Sequence, residues 1–455
     1  MEGNFVMATN KRRIRWTPPR VLVVSFIITI VTGTLLLSLP IATEGKEPLS
    51  LLDALFTATS AVCVTGLVVQ DTARTFSTFG EVVILVLIQV GGLGVTGFAT
   101  FFALLVGMKV GVKERLVLSE TFNLEQLGGV VELLKSILLI FVIFEGAGTL
   151  ILATRFIPIW GWGKGWYYAV FHSISAFNNG GFDLNGEFGK FSSLTPYVED
   201  PVISLTVAAL FIAGGLGFIV VVELLQYRWT QRLSLHTKLV LLANVLLIFL
   251  GAGGILLIEW GNPDTLAGHS FGNTLVAAFF QGVTPRSSGL TTLELDGLYP
   301  ASKFLIILLM FIGASPGSTG GGIKTTTFIT ILLAVWSMMR GREDVITFRR
   351  RVPHSQVYRA LTVTVLTMGL VVVVTMVLTI TESSDVMIVL FETVSAAATV
   401  GLSLGITPEL SSLGKVLIII TMFLGRLGPM TVAFAIARKT LRERYRHPEE
   451  KPLIG

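Results

Sequence analysis

The sequence predicts an all-α polytopic membrane protein of four tandem M1-P-M2 units, each a span, a re-entrant half-helix with its loop, and a second span. Three observations carry that prediction. The 455-residue chain is 52% hydrophobic and only 14% charged, where soluble domains carry about 25% charged residues. Eight apolar runs are long enough to cross a bilayer, which takes about 20 residues each. One short stretch then recurs four times, once within each successive pair of runs. Four copies around one axis would give eight spans and four re-entrant helices in pseudo-four-fold symmetry about a single pore.

The copies run Phe56 to Gly66-Leu67, Phe171 to Gly181-Phe182, Phe279 to Gly289-Leu290, and Phe391 to Gly401-Leu402. In each, a Phe leads the Gly by ten residues, and the glycines lie 115, 108 and 112 residues apart. The predicted spans are 21–39, 81–106, 133–156, 202–226, 236–258, 302–338, 359–380 and 413–437. The first follows a basic cluster, Lys11, Arg12, Arg13, Arg15 and Arg20. It is longer than the about 7–15 apolar residues of a signal peptide, so it reads as an uncleaved span. Before each repeated Gly lies a half-length segment: 50–61, 165–177, 271–283 and 386–397. A dozen helical residues reach about 18 Å, short of a core of about 30 Å, so these segments dip in and return. The units divide as 1–130, 131–235, 236–345 and 346–455.

Charge fixes an expected orientation. The N-terminus, the C-terminus and the linkers near 107–135, 227–238 and 340–359 hold 24 of the 34 Lys and Arg residues, and the opposite side holds 8. The positive-inside rule places the former, with both termini, in the cytoplasm. All four loops then face outward, among 17 acidic residues that would concentrate cations. The cytoplasmic run 340–351 is either a solvated loop or a contact for a regulator or anionic lipid.

Non-helical backbone at membrane depth survives only where it is buried or lines a wet cavity. Four such loops on one axis would present rings of carbonyls, which can replace the hydration shell of K⁺. The expected lining is Val62, Cys63, Val64, Thr65 and Gly66 in the first loop, and Asn178, Asn179, Gly180 and Gly181 in the second. Ser287, Ser288 and Gly289 follow in the third, and Thr399, Val400 and Gly401 in the fourth. None of these side chains is charged. Each half-helix would aim the negative end of its dipole at the centre, favouring a cation. Arg286, the one charge in the loops, is expected to turn away from the axis.

The sixth span, at 37 residues, is too long. Its middle explains the excess: Gly313, Ala314, Ser315, Pro316, Gly317, Ser318, Thr319, Gly320, Gly321 and Gly322, then Lys324. Gly costs about 1 kcal/mol and Pro about 3 relative to Ala inside a helix, so the helix should open into an intramembrane loop that can gate the path. Arg426 lies inside a span, where a charge needs a partner, and the carbonyls of 313–322 are the expected one. Lys324 would do the same or snorkel. Milder glycine groups at 91–94, 214–217 and 425–428 are expected to serve close helix packing. Glu145, mid-span, either braces a half-helix or is protonated.

Other chemistry is not encoded. A lone cysteine, Cys63, forms no intrachain disulfide. Gly92-x-Gly94-x-x-Gly97 lies in an apolar span with no preceding strand, so it is no dinucleotide site. Gly322-Ile-Lys324-Thr325 lacks the P-loop spacing. His172 has no ligand set around it. No nucleophile–base pair is present, so the chain is not expected to be an enzyme, to carry an organic cofactor or to bind nucleic acid.

These motifs together resemble the membrane subunit of the Trk/Ktr/HKT superfamily of potassium transporters, most closely the Ktr type. The carrying segments are Thr65-Gly66-Leu67, Phe177 to Phe182, Thr284 to Gly289, Thr399 to Leu402 and Gly313 to Lys324. The resemblance implies K⁺ uptake across the plasma (inner) membrane, with K⁺ the transported ion. It implies a homodimer with one pore per protomer, and a cytosolic ring of RCK-domain regulators that bind nucleotide. Glycine at all four positions implies preference for K⁺, and Na⁺ is an activator of many relatives. The expected short N-terminus would lack the extra helices of Trk-type relatives. Two alternatives stand beside this reading: a sodium- or proton-coupled secondary transporter using Glu145, and a non-conducting membrane sensor.

Overall fold

The structure is a computed structural model that describes residues 17–45, 47–105, 111–121 and 129–436. The basic residues at 11–15, Lys109 and the tail beyond 436, which contribute to the charge asymmetry, lie outside the described residues.

The first unit opens with α1 (Pro18–Leu37), whose prolines sit in the first turn, where no N–H is needed. Half-helix α2 (Leu51–Cys63) follows, capped by Ser50, which accepts from Asp53 N at 3.1 Å. A single turn, α3 (Thr72–Thr75), leads into the second span, split into α4 (Thr78–Leu93) and α5 (Val95–Leu105). A short helix, α6 (Val112–Thr121), crosses to the second unit.

There α7 (Val130–Phe177) is two helices in one, kinked at Gly161, whose φ of 77° and ψ of 173° are not helical. The part before the kink is a span, and the part after it is the re-entrant half-helix. Then come α8 (Pro201–Gly215) and α9 (Phe218–Thr230). The third unit has α10 (Leu235–Glu259), half-helix α11 (Phe271–Val283), α12 (Pro300–Phe311) and α13 (Thr325–Met339). A two-stranded antiparallel hairpin, β1 (Val345–Thr347) and β2 (Arg350–Val352), replaces the expected loop at 340–351. The fourth unit has α14 (His354–Thr381), half-helix α15 (Val386–Ala398), α16 (Ser412–Leu427) and α17 (Pro429–Ile436).

Each of α2, α11 and α15 is 13 residues long, about 20 Å. The fold is therefore the expected one, four M1-P-M2 units, with one correction. The second spans are not continuous. At Gly94 and Gly217 the backbone turns to φ of 81° and 95°, and the two helices on either side are bent by 95° and 99°. Gly428 breaks the last span at φ 81°. Close packing was the expected role of these glycine groups, and the leading glycines do pack. Cβ atoms at Gly91, Gly214 and Gly425 would strike the carbonyls of Val62, Phe177 and Ala397, at or next to the ends of three half-helices. The closing glycine of each group instead adopts a conformation that L-residues avoid, and that interrupts the helix.

Contacts between units run in a ring. Arg74 Nε donates to Gly186 O at 2.6 Å, joining the first to the second. Leu194 N donates to Thr291 O at 2.9 Å, joining the second to the third. Ser287 Oγ donates to Thr399 O at 3.0 Å, joining the third to the fourth. A Lys415–Asp53 ion pair of 2.7 Å, nearly buried, closes the fourth on the first.

Candidate functional site

The four loops converge. In each, two residues separated by one have positive φ: Val64 and Gly66, Asn179 and Gly181, Ser287 and Gly289, Thr399 and Gly401. An ordinary extended chain points successive carbonyls to opposite sides. Reversing the backbone's hand at every second residue turns them toward the same side. Gly tolerates that hand readily, whereas Val, Ser and Thr hold it at a cost of about 1–3 kcal/mol each. The surrounding fold must enforce it.

The glycines touch in cyclic order. A Cβ at Gly66 would lie 2.9 Å from Gly180 O, and one at Gly181 would lie 3.2 Å from Ser288 O. One at Gly289 would lie 2.7 Å from Val400 O, and one at Gly401 would strike Thr65 O. Each glycine thus abuts the carbonyl preceding the next glycine, and the circle closes after four. The structure brings together Thr65 and Gly66, Gly180 and Gly181, Ser288 and Gly289, and Val400 and Gly401, whereas Val62 and Cys63, expected in the first loop, are the last two residues of half-helix α2, with Val62 O against Gly91. Asn178 Oδ1 and the hydroxyls of Thr65, Ser288 and Thr399 are buried nearby with no hydrogen-bond partner among the described residues. Oxygen atoms of this kind, uncharged and numerous, suit a monovalent cation.

Hydroxyls on the half-helices hold the loops. Ser60 Oγ accepts from Gly66 N at 3.1 Å, and Ser395 Oγ accepts from Gly401 N at 3.0 Å. Ser175 Oγ accepts from Phe182 N at 3.1 Å and donates to Phe182 O at 2.7 Å. In the third unit Val283 occupies the matching position, and Thr284 donates to Leu290 O instead. The buried Phe shifts likewise: Phe56, Phe171 and Phe391 are fully buried, but in the third unit it is Phe280, not Phe279. The sequence reading did not assign these pins. Their signal was present, a Ser six residues before the Gly in three copies of four.

Arg286 does turn aside: its guanidinium donates to Asn244 on α10. Glu145 accepts from Asn178 Nδ2 at 2.9 Å and from Gln89 at 3.3 Å, so it braces the second loop. His172 packs against Tyr168 O and Asn185, and no cluster of metal-ligating side chains occurs among the described residues.

Against the ring lies the segment between α12 and α13. It opens and closes with a bridge of Ile312 to Ile323. Ser315 N donates to Gly215 O at 3.0 Å, Thr319 N to Gly214 O at 3.2 Å, and Phe218 N to Gly317 O at 2.8 Å. The segment therefore rests on the break between α8 and α9, with the Pro316 carbonyl against Gly217. It also touches the ring. Thr319 Oγ1 lies 3.1 Å from the Asn179 amide in either orientation of that group. Cβ atoms at Gly320 and Gly321 would strike Ser287 and Thr399, and one at Gly322 would meet Ala398. Gly313 packs on Gly321 so closely that no side chain fits. Ser318 Oγ donates to Ser315 O at 2.6 Å, and Lys324 Nζ to Gly320 O at 2.7 Å. Arg426 donates to the expected loop, at Thr319 O, and also to Gly91 O at the break of the first unit.

Comparison with known proteins agrees with this architecture. The TrkH family, described as cation transport protein, matches residues 10–445. The Ktr system potassium uptake protein B of Bacillus subtilis is 42% identical over 97% of this chain and 98% of its own length. The potassium/sodium uptake protein NtpJ of Enterococcus hirae is 38% identical over 99% of this chain and 100% of its own. Among solved structures, the potassium transporter TrkH of Vibrio parahaemolyticus superposes with a TM-score of 0.71 at 18% identity, covering 94% of this chain and 86% of that one.

Proposed function

The chain belongs to the TrkH family of cation transport proteins, and on that premise we propose that it carries K⁺ into the cell through the ring of glycine loops. One observation carries the reading: four glycines, each abutting the carbonyl that precedes the next, close a circle of backbone oxygens. The C-terminal ends of four half-helices point at that circle, and their dipoles favour a cation there. Relatives named for potassium uptake support K⁺ as the ion. Glycine at the four positions leaves the ring to backbone oxygens, with the unpartnered hydroxyls of Thr65, Ser288 and Thr399 nearby, and we take K⁺ as preferred over Na⁺, as the family resemblance implies.

We take residues 313–322, with Lys324 and Arg426, as the gate. This segment has two kinds of anchor, the broken spans on one side and the ring on the other. Displacing it would clear the path below the loops. The loops face outward and both termini face the cytoplasm. The word system in the name of the Bacillus subtilis relative supports a regulatory subunit. We assign that part to a cytosolic RCK-domain ring that binds nucleotide, acting on a homodimer, with Na⁺ as activator.

The test is uptake of K⁺ or Rb⁺ into vesicles that contain the purified chain. An imposed K⁺ gradient should drive flux, and Gly66→Ser should relax K⁺/Na⁺ discrimination. Equal flux from empty vesicles, or unaltered discrimination in the variant, would overturn the reading.

A further inference from the structure

Arg286 sits three residues before Gly289, is 7% exposed, and has no carboxylate partner among the described residues. A buried guanidinium needs acceptors. Its Nε has none among the described residues, and the side-chain acceptor it does have is Asn244 Oδ1. Asn244 is itself 4% exposed on α10. The amide of the same residue donates to Val240 O at 2.7 Å and to Ser315 Oγ at 3.2 Å. Ser315 is fully buried, accepts from Thr325 Oγ1 at 3.0 Å, and belongs to the intramembrane segment. One side chain therefore joins the third loop to the segment taken as the gate. Among the described residues, no charged side chain of the other three loops makes such a link.

We propose that Asn244 is a positioning residue that couples ion selection to gating, and this rests on the function proposed above. When 313–322 moves, Ser315 leaves the Asn244 amide. The amide is then held on its donor side by Val240 O alone, and its hold on Arg286 loosens. Ser287, next in sequence, already holds a positive φ of 88° and donates to Thr399 O. A shift of Arg286 is passed directly to that strained residue and to the ring. Coupling of this kind is reciprocal: the ion held at the third loop must bias the position of the segment as strongly as the segment biases the ion.

The experiment is a double-mutant cycle read as K⁺/Na⁺ discrimination in vesicles, since a residue that is merely structural would alter flux or yield and leave discrimination alone. Ser315→Ala cuts the link at the gate. Asn244→Asp keeps an acceptor for Arg286 and removes the donor to Ser315. Each should change discrimination by about twofold to thirtyfold, and the double variant should match the larger single effect. Effects that multiply, or a Ser315→Ala protein that keeps its discrimination, would overturn the coupling. If Asn244→Asp does not accumulate in membranes, Ser315→Ala alone decides by the same criterion. Gly66→Ser runs alongside. If it also leaves discrimination unaltered, the ring itself is wrong; if it relaxes discrimination while Ser315→Ala does not, only the coupling fails.

Discussion

Ser60, Ser175 and Ser395 hold the first, second and fourth loops by the same hydroxyl device, and even the shifted Thr284 serves the third loop similarly. The layer of broken spans beneath the ring has no such uniformity. Three of its four breaks turn at a single glycine, at 94, 217 and 428, while the other extends from 312 to 324. One arginine then ties that long segment to the break of the first unit. A device that must present equal ligands to a spherical ion gains from repetition. A gate of the kind proposed for 313–322, which must move between two positions, gains from one movable part against three fixed ones. On the proposed function, symmetry in the ring and asymmetry below it answer to different physical tasks.

The contrast is broken most severely by crowding the ring. Gly181→Ala places a side chain at φ 72° and within 3.2 Å of Ser288 O. We expect K⁺ uptake in vesicles to fall at least about tenfold, from backbone strain alone, with the protein still extractable as a folded species. Freeing the lower layer should act in the opposite direction. Arg426→Gln removes charged donors to Thr319 O and Gly91 O, and such bonds contribute about 1.5–3 kcal/mol each. Flux should rise by about tenfold; a fall at equal protein content would make Arg426 a brace and not a latch.

Removing the pins tests equivalence within the ring. Ser60→Ala and Ser395→Ala each delete a hydroxyl that accepts from a ring glycine, a bond with a net worth of about 0.5–1.5 kcal/mol. Both should reduce K⁺/Na⁺ discrimination about threefold, and by similar amounts. Strongly unequal losses would show that the loops are not interchangeable. The smallest effect concerns Asp183, half-buried just beyond Gly181. Burial, assisted by the nearby Asp71 carboxylate, outweighs the hydrogen bond from Asn185 and pushes its carboxyl up to about 6. It is charged above that pH and neutral below it. The apparent KM for K⁺ should therefore rise about twofold as pH falls through about 6 on the side that Asp183 faces, and Asp183→Asn should abolish the dependence.

Much of the fold was legible because half-helices are read from length and from the glycine that ends them. The limits 271–283 were met to the residue, and 386–397 ended one residue later, at Ala398. The bends at Gly94 and Gly217 were not legible. A glycine in an apolar run looks the same whether it admits a neighbour or reverses the backbone, and only φ separates the two. Arg426 was legible as needing a partner, and one of its partners, Thr319, fell within the expected segment. Its second, Gly91, is 335 residues away, and nothing in local sequence selects one distant carbonyl over another. Asn244 escaped notice for the same reason: a neutral amide within an apolar helix becomes informative only when Arg286 and Ser315 are seen on either side of it.

The Lys415–Asp53 pair closes the circle where the chain itself does not. A ring of four identical subunits writes every substitution four times, so any novelty must suit all positions at once. Here each quarter has its own codons, and a change at Pro316 or Arg426 is inherited by one quarter alone. The seam at Asp53 lets a single gene keep a four-fold ring while its parts diverge one at a time.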